Sequence, residues 1–148
     1  MKKIVPLCFS ILFLSLSLSM NAQKPIFNHL AIHVADLQAS TLFYKDVIGL
    51  DTIPEPFHDG KHTWFSLGLS SQLHIIAGGN AAQHDKDHHL CLRVPSVQDF
   101  IPRLTKAGIP FEDARGNKQA VTLRPDGVKQ IYFQDPDGYW IEINDARQ

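Results

Sequence analysis

His29-Leu30-Ala31-Ile32-His33-Val34 recurs sixty residues later as His89-Leu90-Cys91-Leu92-Arg93-Val94. Both stretches alternate apolar residues with His, Ala, Cys or Arg, the period-two pattern of a strand with one buried face. Each is followed by a segment with helical spacing and then by a Gly-plus-apolar step, Gly49-Leu50 and Gly108-Ile109. Each half ends in a hairpin whose returning strand carries another side chain able to bind a metal. The first is Gln72-Leu73-His74-Ile75-Ile76, the second Trp140-Ile141-Glu142-Ile143-Asn144. A duplicated motif that offers two ligand-type side chains per copy predicts one four-ligand site built from both halves.

Between these anchors, Asp36 is an N-cap candidate for a helix carrying Leu37, Leu42, Phe43, Val47 and Ile48, which stops at Gly49. Pro54 and Pro56 mark a loop or an edge strand, and His58 to Lys61 a turn. Thr63–Leu69 and Gln72–Ala77 form a hairpin around Ser70-Ser71, and Gly78 to Asp87 is a loop between the halves. In the second half Leu90–Val94 is a strand, and Ser96 caps a helix with Val97, Phe100, Ile101 and Leu104 on one face. Ile109–Glu112 and Thr122–Arg124 are short strand candidates. Gly127–Phe133 and Tyr139–Asn144 pair around the turn Asp135-Pro136-Asp137-Gly138. Each half therefore reads βαβββ, an α+β fold. Alternation puts Leu30, Ile32, Leu73, Ile75, Leu90, Leu92, Ile141 and Ile143 on core faces. It puts His29, His33, His74, His89, Arg93, Trp140 and Glu142 on faces fit to line a ligand cavity.

Residues 1–22 read as a secretory signal peptide: Lys2 and Lys3, an apolar run with interspersed Ser from Ile4 to Leu18, and Ala22 at the cleavage position. The run is short for a membrane span. The expectation is a mature domain, residues 23–148, exported to the periplasm or the extracellular space, with no stable membrane insertion after cleavage. Loss of Lys2 and Lys3 takes the formal charge from -1 to -3. No Lys/Arg run is present, which argues against a nucleic-acid partner. Maturation leaves Cys91 alone, so no intramolecular disulfide can form, and the domain must rely on its core, a metal or a partner subunit.

At these residues the chain resembles the vicinal oxygen chelate superfamily, which includes glyoxalase I, methylmalonyl-CoA epimerase, fosfomycin-resistance transferases, extradiol dioxygenases and bleomycin-binding proteins. The markers are Asn28 to Leu37, Phe43-Tyr44 with Gly49-Leu50, His89 in the second opening strand, and Asp135 to Glu142. The resemblance implies two βαβββ modules curled into a cup, closed either within one chain or across a homodimer. It also implies one divalent metal held by His29, His74, His89 and Glu142. Glyoxalase I typically has a carboxylate where this chain has His74, and a glutathione-contacting Arg where it has His33. A further glutathione-contacting Asn is replaced by Gly78.

Three neutral imidazoles and one carboxylate leave a divalent ion with a net positive charge, which favours an anionic oxygen ligand. That donor set suits Zn, Ni, Co, Mn or Fe(II), and ligand type alone does not choose among them. The function expected is a metal-dependent lyase or isomerase, resembling lactoylglutathione lyase, that acts on a small substrate with vicinal oxygens through an enediolate-like intermediate. Glu142 and His74 are the candidates for catalysis, and His33, Arg93 and Trp140 for substrate binding. Two alternatives stand beside it: an antibiotic- or toxin-binding resistance protein without chemistry, and an Fe(II) extradiol-type dioxygenase.

Overall fold

The computed structural model describes residues 24–147. The expected signal peptide, residues 1–22, lies outside them. Among the described residues, no helix is long and apolar enough to cross a membrane.

The first module runs β1 (His29–Val34), α1 (Leu37–Leu42), a π-helical continuation (Phe43–Ile48), β2 (Thr52–Ile53), β3 (His62–Ser66) and β4 (Gln72–Ala77). The second runs β5 (His89–Arg93), α2 (Val97–Lys106), β6 (Thr122–Leu123), β7 (Lys129–Gln134) and β8 (Trp140–Asn144). Each module makes a four-stranded mixed sheet, ordered β1-β4-β3-β2 and β5-β8-β7-β6. The opening strand is parallel to the last strand of its own module, and the other pairings are antiparallel. The duplicated βαβββ plan is therefore present in full.

Several boundaries differ from those expected. Strand β3 is His62–Ser66 rather than Thr63–Leu69, because Gly68 and Leu69 take positive φ to make the turn. Ile109–Glu112 is not a strand. Glu112 alone bridges to Lys118 and Tyr132. The first helix starts where Asp36 accepts from the Ala39 N–H at 3.0 Å and ends at Gly49, whose φ of 87° suits a residue without a β-carbon. Its second half widens into a π-helical stretch. There the neighbours Phe43 and Tyr44 bury against different sheets: Tyr44 on Phe65 of β3, Phe43 on Phe133 of β7. Helix α2 buries Val97, Phe100 and Leu104, one stripe at helical spacing, with Phe100 also on Phe133.

One continuous core results. It contains Ile32 and Val34 of β1, Phe65, Leu73 and Ile75 of the first sheet, Ile131, Phe133, Ile141 and Ile143 of the second, and the buried faces of both helices. The two apolar sheet faces share this core, so strand alternation turns the two polar faces away from it. The turn 135–138 fastens the modules together. Asp137 accepts from the Ala35 N–H at 2.6 Å and from the buried Ser40 hydroxyl at 2.7 Å. Asp135 accepts from Tyr44 Oη at 2.7 Å. A β-carbon at Gly138 would overlap the Ala82 carbonyl, so this position takes only glycine without rebuilding the loop.

Candidate metal centre

The register brings the expected ligands together in pairs. His29 on β1 and His74 on β4 stack with ring centroids 4.3 Å apart. In the second sheet Cys91 lies directly opposite Glu142, and His89 Nε2 approaches Glu142 Oε2 to 3.3 Å. Among the described residues, no three His, Cys, Asp or Glu side chains gather closely enough to hold one ion. A single chain thus carries two half-sites, one per sheet, on the faces that the shared core turns outward.

The first half-site is aromatic. Trp64 of β3 pairs across the sheet with His74 and stacks flat on its ring, centroids 3.8 Å apart and planes within 4°. Phe57, exposed in the loop after β2, meets Trp64 edge-on at 6.1 Å. The Phe57 loop is braced by Glu55, which accepts from the Phe57 and His58 N–H groups at 2.7 and 2.8 Å. His29 Nδ1 bonds Asn28 Oδ1 at 2.7 Å, which places its proton there and leaves Nε2 with a lone pair. His74 Nε2 bonds Gln72 Oε1 at 2.7 Å, so that nitrogen can serve a metal only once Gln72 releases it. Burial lowers the His74 pKa, and the neighbouring His29 and His62 push it the same way, so the ring is neutral near pH 7 as a ligand must be.

The second half-site is a hydrogen-bonded polar network. Glu142, buried on β8, accepts from Tyr132 Oη at 2.6 Å, from Asn144 Nδ2 at 2.8 Å and from the Cys91 thiol at 3.4 Å. Burial raises its pKa, but these donors and the nearby His89 outweigh it, and the carboxyl stays below its ordinary value. The same environment acts oppositely on its neighbours. Burial and the Glu142 charge push the Cys91 thiol up to about 12, so it is no thiolate nucleophile at neutral pH. Tyr132 is likewise raised, by burial and then by its bond to Glu142.

His89 supplies the chemical test of whether a metal belongs here. Its Nδ1 bonds the Lys86 carbonyl at 2.8 Å, and a carbonyl only accepts, so the Nδ1 proton is fixed. A neutral ring then aims the Nε2 lone pair at Glu142 Oε2, 3.3 Å away. Two electron-rich atoms hold that approach only with positive charge between them, either a second ring proton or a metal ion. Ligand atoms about 2.0–2.2 Å from one ion lie about 3–3.5 Å from each other, so the pair fits a divalent metal.

The other expected site residues are more constrained than alternation alone suggests. His33 Nε2 bonds the Ala77 carbonyl at 3.1 Å. Trp140 donates its indole N–H to the His84 carbonyl at 3.0 Å, which ties it to the loop before β5. Arg93 is exposed on β5, and none of the side-chain ion pairs of the described residues includes it. Trp64, Tyr132 and Lys86 were not singled out from the sequence, where Asn28 and Asn144 entered only as neighbours of the candidate ligands along their strands. Alternation in β3 and β7 could have placed Trp64 and Tyr132 on the ligand faces, but only cross-strand register makes them neighbours of His74 and Glu142.

Residues 26–143 match the family model of the Glyoxalase/Bleomycin resistance protein/Dioxygenase superfamily, and the chain belongs to that superfamily. Among curated relatives, it is 24% identical to lactoylglutathione lyase of Pseudomonas putida, over 80% of this chain and 83% of that protein. It is 26% identical to human mitochondrial methylmalonyl-CoA epimerase, over 80% and 73% of the two chains. It is also 26% identical to metallothiol transferase FosB of Staphylococcus epidermidis, over 79% of each. The fold matches the fosfomycin resistance protein FosX of Listeria monocytogenes with TM-score 0.68 at 20% identity, covering 84% of this chain and 96% of that one. Members of the superfamily bind divalent metals, and act on or bind small molecules that include antibiotics.

Proposed function

We propose that this protein is a divalent-metal-dependent enzyme of the glyoxalase-like lyase or isomerase type, acting on a small substrate with two neighbouring oxygens. The observation that carries this reading is the His89–Glu142 pair, whose fixed Nδ1 proton and 3.3 Å separation present Nε2 and Oε2 at the spacing of two ligands on one ion. His29, His74, His89 and Glu142 would hold the ion, which when bound would act as a Lewis acid toward substrate oxygens. Tyr132 and Asn144 keep Glu142 ionised and oriented. Trp64 and Phe57 form an aromatic wall beside the first half-site that would shield a bound substrate from water. Arg93, exposed on the same face as His89, attracts an anionic substrate group.

The outward-facing half-sites favour a homodimer in which His29 and His74 of one copy meet His89 and Glu142 of another. The four half-sites of a dimer, two from each copy, would then make two equal metal centres. Export of the mature domain, residues 23–148, remains part of the proposal, carried by Lys2, Lys3 and the apolar run that follows them.

The test is complementation. His29→Ala and Glu142→Ala should each lose most bound metal when purified alone. Refolded together at equal amounts, they should regain about a quarter of the wild-type metal, because only mixed dimers contain one intact pairing. No recovery on mixing would reject the two-chain site. Full metal retention in both single variants would reject the ligand set. Turnover is then sought with the metal found, on methylglyoxal hemithioacetal, a catechol, and fosfomycin with thiols.

A second reading, a binding protein without chemistry, is favoured by the stacked wall of Phe57, Trp64 and His74, which suits a flat apolar ligand. Equal affinity for such a ligand in metal-loaded and metal-free protein, with no turnover, would select it.

A further inference from the structure

The segment before β5 holds His89 through a residue that touches neither half-site ligand with its side chain. Lys86 offers its carbonyl to His89 Nδ1 at 2.8 Å. Its ammonium donates to Glu112 Oε1 at 2.8 Å and to the Asp113 carbonyl at 3.4 Å. The same ammonium sits 5.4 Å from the ring centroids of both Tyr132 and Trp140. Tyr132 holds Glu142, and Trp140 donates to the His84 carbonyl in the same loop. The ion pair is partly shielded, with the Lys86 and Glu112 side chains 24% and 15% exposed, so it is held more firmly than an open surface pair.

We infer that Lys86 is a positioning residue. Its ammonium, clamped by Glu112 and two aromatic rings, pins the loop whose Lys86 carbonyl fixes the His89 Nδ1–H tautomer and so sets Nε2 as the ligand atom. Release of the clamp frees the carbonyl to move, and the ring can then rotate or exchange its proton between nitrogens. Loss of such an orienting partner typically weakens metal binding by about 10–100-fold.

This inference rests on His89 being a metal ligand, yet its sign separates it from simple electrostatics. Removal of the Lys86 charge, which also frees the Glu112 carboxylate, makes the neighbourhood more negative and by charge alone would tighten binding of a cation. Positioning requires the opposite.

The experiment compares full-length wild-type protein with Lys86→Met and Lys86→Arg. Methionine keeps the apolar stem and removes the charge, and arginine keeps the charge. The ring nitrogens of His89 are read by 15N NMR in metal-free protein, and Zn affinity by competition with a chelator. Wild type should show a proton held on Nδ1, where the Lys86 carbonyl accepts it. Lys86→Met should show mixed tautomers and about tenfold weaker Zn binding, while Lys86→Arg keeps both wild-type readouts. An unchanged His89 tautomer in Lys86→Met, or Zn binding that is equal or tighter, overturns the inference. The NMR readout needs no metal, so it stands or fails even if wild type binds none, an outcome that would sink the proposed function instead.

Discussion

The two modules share one topology and hold their candidate ligand pairs by different physics. In the first, His74 is set by stacking between Trp64 and His29, with only Asn28 and Gln72 as polar partners of the imidazoles. In the second, Glu142 and His89 are set by hydrogen bonds from Tyr132, Asn144 and Cys91 and to the Lys86 carbonyl. Stacking restricts the plane of a ring but leaves it free to slide, while a directed hydrogen bond also fixes which atom faces the site. A carboxylate needs the second arrangement, because burying its charge without donors is costly. Neutral imidazoles tolerate the first. The lesson is that the repeated plan sets equivalent positions for the candidate ligands, and the chemistry of each side chain chose its support.

This contrast can be broken most readily in the second module. Glu142→Ala leaves Tyr132, Asn144 and Cys91 facing a space that no longer accepts from them, at a buried position of the second sheet. A loss of about 3 kcal/mol is expected from chemical denaturation of the metal-free protein. His74→Ala, by contrast, removes stacking contacts and a single hydrogen bond to Gln72, and should cost about 1–2 kcal/mol. Equal losses in the two variants would mean that the half-sites are not supported differently.

Tyr132→Phe sharpens the comparison, since it deletes a single donor to a charged acceptor while keeping the ring. It should destabilise the protein by about 1.5–3 kcal/mol in urea titrations. Removing that donor should also raise the Glu142 pKa, because Tyr132 is the first of the hydrogen bonds that hold it down. By linkage, a carboxyl whose folded pKa is depressed contributes stability above its unfolded pKa and loses it as pH falls through the folded value. The penalty of Tyr132→Phe should therefore shrink in acid, below the ordinary carboxylate range, which stability curves at several pH values would reveal.

The smallest effect is expected in the first module. The Trp64 indole N–H is buried with no partner among the described residues. Trp64→Phe removes that unsatisfied donor and retains an aromatic face for His74, so stability should stay within about 1 kcal/mol of wild type despite the smaller ring. A loss above that, measured by thermal and urea unfolding, would show that the indole nitrogen has a partner and that stacking is not the main support.

Most of the architecture was legible in the residues themselves. Alternation in His29–Val34 and His89–Arg93, the capping residues Asp36 and Ser96, and the turn glycines Gly49 and Gly138 are local signals, and each has a local physical cause. They were enough for two βαβββ modules, for the core faces and for the four candidate ligands. The pairing of candidate ligands within a sheet, by contrast, depended on the parallel register of β1 with β4 and of β5 with β8, which sets His74 and Glu142 two places beyond the partners of His29 and His89. Asp137 was readable only as a turn residue, although its carboxylate joins Ala35 and Ser40 across about a hundred positions of chain. The neighbours of the ligands, Trp64 beside His74 and Tyr132 beneath Glu142, depended on cross-strand register, which no local pattern specifies. Tertiary structure also decided that both apolar faces enter one core. Periodicity says which residues share a face but not which way a sheet turns relative to another. Here the helices lodge Phe43 and Phe100 against Phe133, and burying those rings on one side obliges the two half-sites to look outward on the other.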